Sequence, residues 1–142
     1  MIILEGTDAV GKTCVINALK GYDLADRDKN ISKLFMFDIS LIDRVNELVK
    51  YLKTYDNHVI FLVNNDKEEL ERRVSLRSIH DEFDKYTYLY NLMYLETYLY
   101  MEQNNLLNNK LYLVDCTNLN IHEETGRVLT LVNKIRRNYA KY

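Results

Sequence analysis

The chain has 142 residues, 47% hydrophobic and 28% charged, with 19 Lys plus Arg against 21 Asp plus Glu. That length allows one domain with a sizeable core and no second core of similar size. A net charge of −2 excludes the diffuse basic footprint of a duplex nucleic-acid binder, and zero prolines with only four glycines exclude collagen-like, Pro-rich and linker chains.

Ile2-Ile3-Leu4, ended by Gly6, reads as a short buried strand. A helix is expected from about Gly11 to Lys20 on the spacing of Val15, Ile16 and Leu19, with Gly21 as its C-cap. Tyr22 to Ala25 is a weaker strand leading into Asp26-Arg27. Ser40, with Asp43 three residues on, resembles a capping box. It opens a helix with Ile42, Val45, Leu48, Val49 and Leu52 on one face. His58 to Val63 is the clearest strand, and its continuous apolar run suits a parallel sheet covered on both faces. Asp66 and Glu69 mark another helix start, continuing through Arg73 to about Arg77. A long Tyr- and Leu-rich helix is expected from Phe83 to Gln103, then a polar loop over Asn104–Asn109. A strand over Leu111–Val114 and a last helix over His122–Tyr139 complete the chain. Strands alternating with helices argue an α/β fold of three layers with a mostly parallel sheet.

The strongest chemical signal is Gly6-Thr7-Asp8-Ala9-Val10-Gly11-Lys12-Thr13. It matches the phosphate-loop pattern G-x-x-x-x-G-K-[ST] in full, with a strand before it and a helix after it. In such a loop the backbone amides surround a phosphate. Lys12 reaches the β- and γ-phosphates of ATP, and the Thr13 hydroxyl coordinates Mg²⁺. Gly6 and Gly11 allow a backbone approach that a Cβ obstructs. The nucleotide-binding set is therefore Gly6, Asp8, Ala9, Val10, Gly11, Lys12, Thr13 and Cys14.

Glu5 to Thr13 resembles the thymidylate kinase branch of the P-loop nucleoside and nucleotide kinases, whose loop has the form E-G-x-D-x-x-G-K-[ST]. The resemblance implies a P-loop NTPase fold and an ATP- and Mg²⁺-dependent nucleoside monophosphate kinase. In this family the loop Asp faces the sugar of the phosphate acceptor, which makes Asp8 the matching residue. Some members carry a catalytic Arg next to it; here that place holds Ala9, and the family's alternative is an Arg from a mobile lid. The family's D-R pair at a strand end matches Asp26-Arg27, implying Asp26 near Mg²⁺ or the attacking oxygen and Arg27 as a clamp on the acceptor phosphate, for which a planar guanidinium is suited. Ser32 follows one position later than the family's Ser. Arg72, Arg73 and Arg77, followed by Asp81-Glu82-Phe83-Asp84, resemble the lid. Arg73 and Arg77 are four apart on one helix face, and are read as catalytic because they can stabilise charge on the migrating phosphoryl group. Arg72 is read as part of a solvated face. Leu113 to Thr117 resembles the family's last strand, with Cys116, Thr117 and Asn118 lining the adenine. The Tyr-rich helix is read as core or as the face of a homodimer.

The resemblance breaks between Lys20 and Leu24, where the family has a further strand and helices that grip the acceptor base. Here Gly21-Tyr22-Asp23 bridges the gap. A complete donor half, a reduced acceptor half and a sheet of about four strands follow from that. Two other readings stay open: a kinase of deoxynucleoside or polynucleotide 5′-hydroxyls, with Asp26 as general base, and a nucleotide-binding dimerisation module without catalysis. The acidic balance makes nucleic acid an unexpected partner. Cys14 and Cys116 form no disulfide framework or zinc motif, no signal peptide is visible at Met1 and no run is of membrane-spanning length, so a cytoplasmic setting is expected. Twelve Tyr and no Trp fit an AT-rich genome, such as that of a virus, phage or low-GC bacterium.

Overall fold

Each expected apolar run forms a strand, and all four strands join one sheet in the order β2-β1-β3-β4. The computed structural model describes residues 1–7, 9–77, 80 and 84–140. Within them β1 spans Ile2–Glu5, β2 Leu24–Asp26, β3 His58–Val63 and β4 Leu111–Asp115. All three pairings are parallel, with Ile2 opposite both Leu24 and His58, and Val59 opposite Leu111. The helices are α1 (Lys12–Ala18), α2 (Lys29–Ser32), α3 (Leu41–Thr54), α4 (Lys67–Ser75), α5 (Thr87–Gln103) and α6 (Ile121–Ala140).

Side chains alternate across a strand, so β1 and β3 feed two cores. Ile3, Val59, Phe61 and Val63 pack with Val45, Leu48 and Leu52 of α3 and Tyr94 and Met101 of α5. Ile2, Leu4, Ile60 and Leu62 pack with Val15 of α1 and Val128, Val132 and Ile135 of α6. The sheet is thus covered by helices on both faces, and β3 is buried at every position after His58. Phe35 stacks on Tyr94 with centroids 3.8 Å apart, and Phe61 meets both rings edge-on.

Caps set the helix starts. Ser40 accepts the Asp43 N–H and Asp66 accepts the Glu69 N–H, each at 3.1 Å. Three expectations are corrected. Gly21 is not a C-cap: α1 ends at Ala18, a single 3₁₀ turn takes Lys20–Tyr22, and Asp23 adopts the left-handed conformation at φ 56. This short turn carries the chain straight from α1 into β2. Ile42 is 51% exposed and leaves the α3 core face. The helix that carries Arg72 and Arg73 ends at Ser75, so Arg77 lies beyond the Leu76 C-cap and shares no helix face with Arg73. Tyr94, at 4% exposed, fits the core reading of the Tyr-rich helix, whereas the open face of α5 carries Leu89, Leu92 and Leu99.

Chain order positions the site. The connection leaving β1 runs to β2 on one side, and the one leaving β3 runs to β4 on the other. Ligands of open parallel sheets bind where the connections diverge in this way, outside the carboxyl ends of the strands. The glycine loop leaves β1 at that point.

Candidate phosphate site

The loop is built against the backbone of its neighbours. A Cβ on Gly6 would lie 2.6 Å from the Leu62 carbonyl oxygen, so only glycine lets the chain leave β1 this close to β3. Val10 is fully buried and anchors the loop in the core. Ala9 and Gly11 take left-handed conformations, at φ 69 and φ 97. Gly11 also abuts Glu124 of α6, because a Cβ there would lie 3.1 Å from Glu124 Cδ and closer still to Oε2. Thr7 donates its hydroxyl to the Thr87 carbonyl at 3.2 Å, tying the loop to the start of α5. Asp8 lies outside the described residues, as do Asp81, Glu82 and Phe83.

In front of the loop is a cleft of about 770 Å³. Ala9, Gly11, Lys12, Thr13 and Cys14 line one side, Glu69, Arg72, Arg73 and Arg77 the second, and Asn118 to Ile121 the third. The structure therefore brings together the expected loop and arginines, which lie some sixty residues apart in sequence. Lys12 is buried, and its ammonium lies 3.2 Å from Asp26 Oδ1 at the end of β2. The Lys–Asp pair thus joins the loop to the neighbouring strand. Thr13 is exposed at the cleft. Among the described residues, no three of His, Cys, Asp and Glu converge as a metal cage.

The arginines differ. Arg73 reaches the loop itself, donating from a terminal nitrogen to the Ala9 carbonyl at 3.1 Å and from Nε to Glu69 at 2.9 Å. Arg72 grips Glu69 through two bonds, of 2.9 and 2.7 Å. Those bonds from Arg72 and Arg73 hold the Glu69 carboxyl down at about 2. Arg77 pairs with Asp84 at 3.6 Å. Arg72, read from sequence as solvated surface, borders the cleft although its side chain is 58% exposed.

Two positions expected at the adenine fall elsewhere, and one of them, Cys116, is fully buried. Thr117 does not line the cleft: its hydroxyl donates to Asp115 at 2.5 Å and accepts the Asn65 N–H at 2.9 Å, locking the β3 and β4 exits together. Its neighbours Asn118 and Leu119 face the cleft instead. Arg27 lies on the β2 side in a left-handed conformation at φ 65, its N–H bonded to the Leu4 carbonyl at 3.0 Å.

Sequence reading missed the role of Glu5. It is fully buried and accepts the Asp28 N–H at 2.7 Å, the Ser32 hydroxyl at 3.0 Å and the Tyr94 hydroxyl at 3.1 Å. Burial pushes its carboxyl above the ordinary range, against the pull of these bonds and of Arg27. Glu5 thus fixes the segment after β2, including Ser32, to the root of the loop. Arg44, 3% exposed, does the same for the next stretch, donating to the Leu34 and Ile39 carbonyls and to Thr97. A buried charge needs such partners, but partners this distant in sequence leave no local pattern.

Comparison with protein-family models and with curated proteins gives no match.

Proposed function

We propose that this chain is an ATP- and Mg²⁺-dependent kinase of P-loop fold that phosphorylates a small (deoxy)nucleotide, as a thymidylate kinase-like nucleoside monophosphate kinase. One observation carries the reading: the Gly11-Lys12-Thr13 turn, with Lys12 held by Asp26, faces a cleft rimmed by three arginines. A cationic pocket with a strained, glycine-dependent floor suits a polyphosphate. The donor set also suits magnesium, which takes few protein ligands and keeps phosphate oxygens and waters. Thr13 supplies a hydroxyl and Asp26 a carboxylate. Bound Mg-ATP would supply the electrophilic γ-phosphoryl group.

The chain's own groups then have separate tasks. Lys12 exchanges Asp26 for phosphate oxygens, which leaves Asp26 free to face the metal or the attacking oxygen. Arg27, on the other side of the loop, holds the acceptor phosphate, while Arg73 and Arg77 hold the migrating group. Such chemistry asks for positioning and charge stabilisation. The short turn between α1 and β2 leaves the acceptor side open, consistent with the 5′-hydroxyl alternative, in which Asp26 takes a proton from the hydroxyl. Free Cys14 and Cys116 fit a reducing, cytoplasmic setting, and no helix among the described residues is long and apolar enough to cross a membrane. The exposed leucines of α5 favour a homodimer through that helix.

The test is a panel of deoxynucleoside monophosphates, deoxynucleosides and 5′-hydroxyl oligonucleotides incubated with Mg-ATP. Diphosphate products support the proposal. Turnover of hydroxyl acceptors alone supports the alternative. ATP binding without turnover of any acceptor reduces the chain to a binding module.

A further inference from the structure

Glu124 has no task in the scheme above, yet its carboxyl packs directly against the second glycine of the loop. It lies in the first turns of α6, is 1% exposed, and its Oε2 has no hydrogen-bond partner among the described residues. Its carboxyl fills the space where a Gly11 side chain would stand. The glycine of the G-K-T turn is favoured by its φ of 97, and a side chain there would also have to displace the Glu124 carboxyl.

The groups around Glu124 come from three elements. The Cys116 thiol, after β4, acts on it while donating to the Val114 carbonyl at 3.6 Å, and so does the Arg73 guanidinium of α4. Gly11 faces it from the loop, with Lys12 next in the chain. On α6 itself, neighbouring Glu123 and Arg127 are exposed. Burial pushes the Glu124 carboxyl above the ordinary range, while the neighbouring Cys116 thiol and Arg73 pull it down. Burial also pushes the Cys116 thiol up, so it stays protonated and remains a donor.

We propose that Glu124 is a positioning residue that couples polyphosphate binding to proton uptake, because the carboxyl packed behind Gly11 must be uncharged when an anion occupies the front of the loop. Two effects act in the same direction. A polyphosphate in the cleft repels a carboxylate behind a glycine, with no Gly11 side chain between them to hold the charges apart. It also claims Arg73, the guanidinium that otherwise favours the ionised acid. Proton and polyphosphate therefore stabilise each other at two faces of one residue, and linkage makes the effect reciprocal. This rests on the phosphate-loop reading, but requires neither catalysis nor a particular acceptor.

The experiment titrates the whole protein with inorganic tripolyphosphate by calorimetry, from pH 5.5 to 8.5, in buffers of different ionisation heat. The wild type should take up more protons on binding than Glu124→Gln. Its affinity should also fall more steeply with rising pH than that of Glu124→Gln, the two slopes differing by up to about tenfold per pH unit. Tripolyphosphate's own titration is common to both proteins and cancels. Equal uptake and parallel profiles overturn the proposal and leave the phosphate loop standing. A readout independent of how Glu124→Gln folds is the carbon-13 carboxyl resonance of Glu124 in the wild type. It should titrate at higher pH with tripolyphosphate than without, and an unchanged titration overturns the coupling. If tripolyphosphate binds neither protein at any pH, the phosphate-loop reading falls as well.

Discussion

Arg72 and Arg73 are chain neighbours that share one carboxylate, yet only Arg73 also reaches the loop carbonyl of Ala9. A guanidinium already aimed at the loop can hold charge there at little reorganisation cost. Arg73→Ala should lower kcat by about 10³-fold, the scale of an arginine that neutralises a migrating phosphoryl group. Arg72→Ala, removing a mostly exposed partner of Glu69, should change kcat less than about tenfold. Steady-state turnover of both variants checks this, and equal losses would contradict the assignment. The buried acids give a second prediction at this scale. Glu5 and Glu124 are both raised, chiefly by burial. An acid raised in the folded state holds its proton longer there than in the unfolded chain. Its contribution to stability is therefore full below the ordinary carboxylate value and is lost as pH rises through the folded value. Glu69 has the opposite sign: it is lowered to about 2, so its contribution exists above the ordinary value and fades as pH falls towards 2. Urea unfolding between pH 5 and 8 should show stability falling with pH, and Glu5→Gln should flatten that slope whatever it does to the level. Parallel slopes would contradict it.

At the scale of elements, what was legible in the sequence depended on range. The strands were readable as apolar runs, and His58–Val63 appears with both ends as expected because all its positions after His58 are buried. The caps at Ser40 and Asp66 were readable because each is a contact over three residues. Helix α2 was not, since Lys29–Ser32 has no room for a periodic pattern and rests on the Asp28 cap of the Asn30 amide. Nor was the Glu5 cluster, whose partners lie 23, 27 and 89 residues away. The same division separates the glycines. Gly126 sits on the exposed face of α6 with open space where a Cβ would go, so Gly126→Ala should stabilise the protein by about 0.5–1 kcal/mol. The urea midpoint reads this, and a loss of stability would show a constraint not visible in the packing. On α5, Tyr spacing suggested a partner-facing stripe, but burial assigns Tyr94 to the core and leaves Leu92 and Leu99 outside. Tyr94→Ala should therefore cost about 3–5 kcal/mol in stability. Leu92→Glu with Leu99→Glu should leave the fold intact and convert a dimer to a monomer, as read by light scattering. A monomeric wild type would end the dimer proposal.

At the scale of the whole molecule, the fold is a small frame that suits the proposed phosphate site. Four parallel strands with helices on both faces hold one loop at the point where the connections diverge. A 3₁₀ turn over Lys20–Tyr22 takes the chain directly from α1 into β2. One cleft holds the loop, a lysine, a hydroxyl and arginines, and under the proposal it takes the donor, leaving Arg27 and the segment held by Glu5 and Arg44 to the acceptor. The most direct test of this account follows γ-phosphate-labelled ATP with Mg²⁺ and the deoxynucleoside monophosphates, comparing wild type with Lys12→Ala. The account predicts label in a deoxynucleoside diphosphate, reduced by about 10²-fold or more in Lys12→Ala. Label reaching no acceptor, or reaching one equally in both proteins, would contradict it.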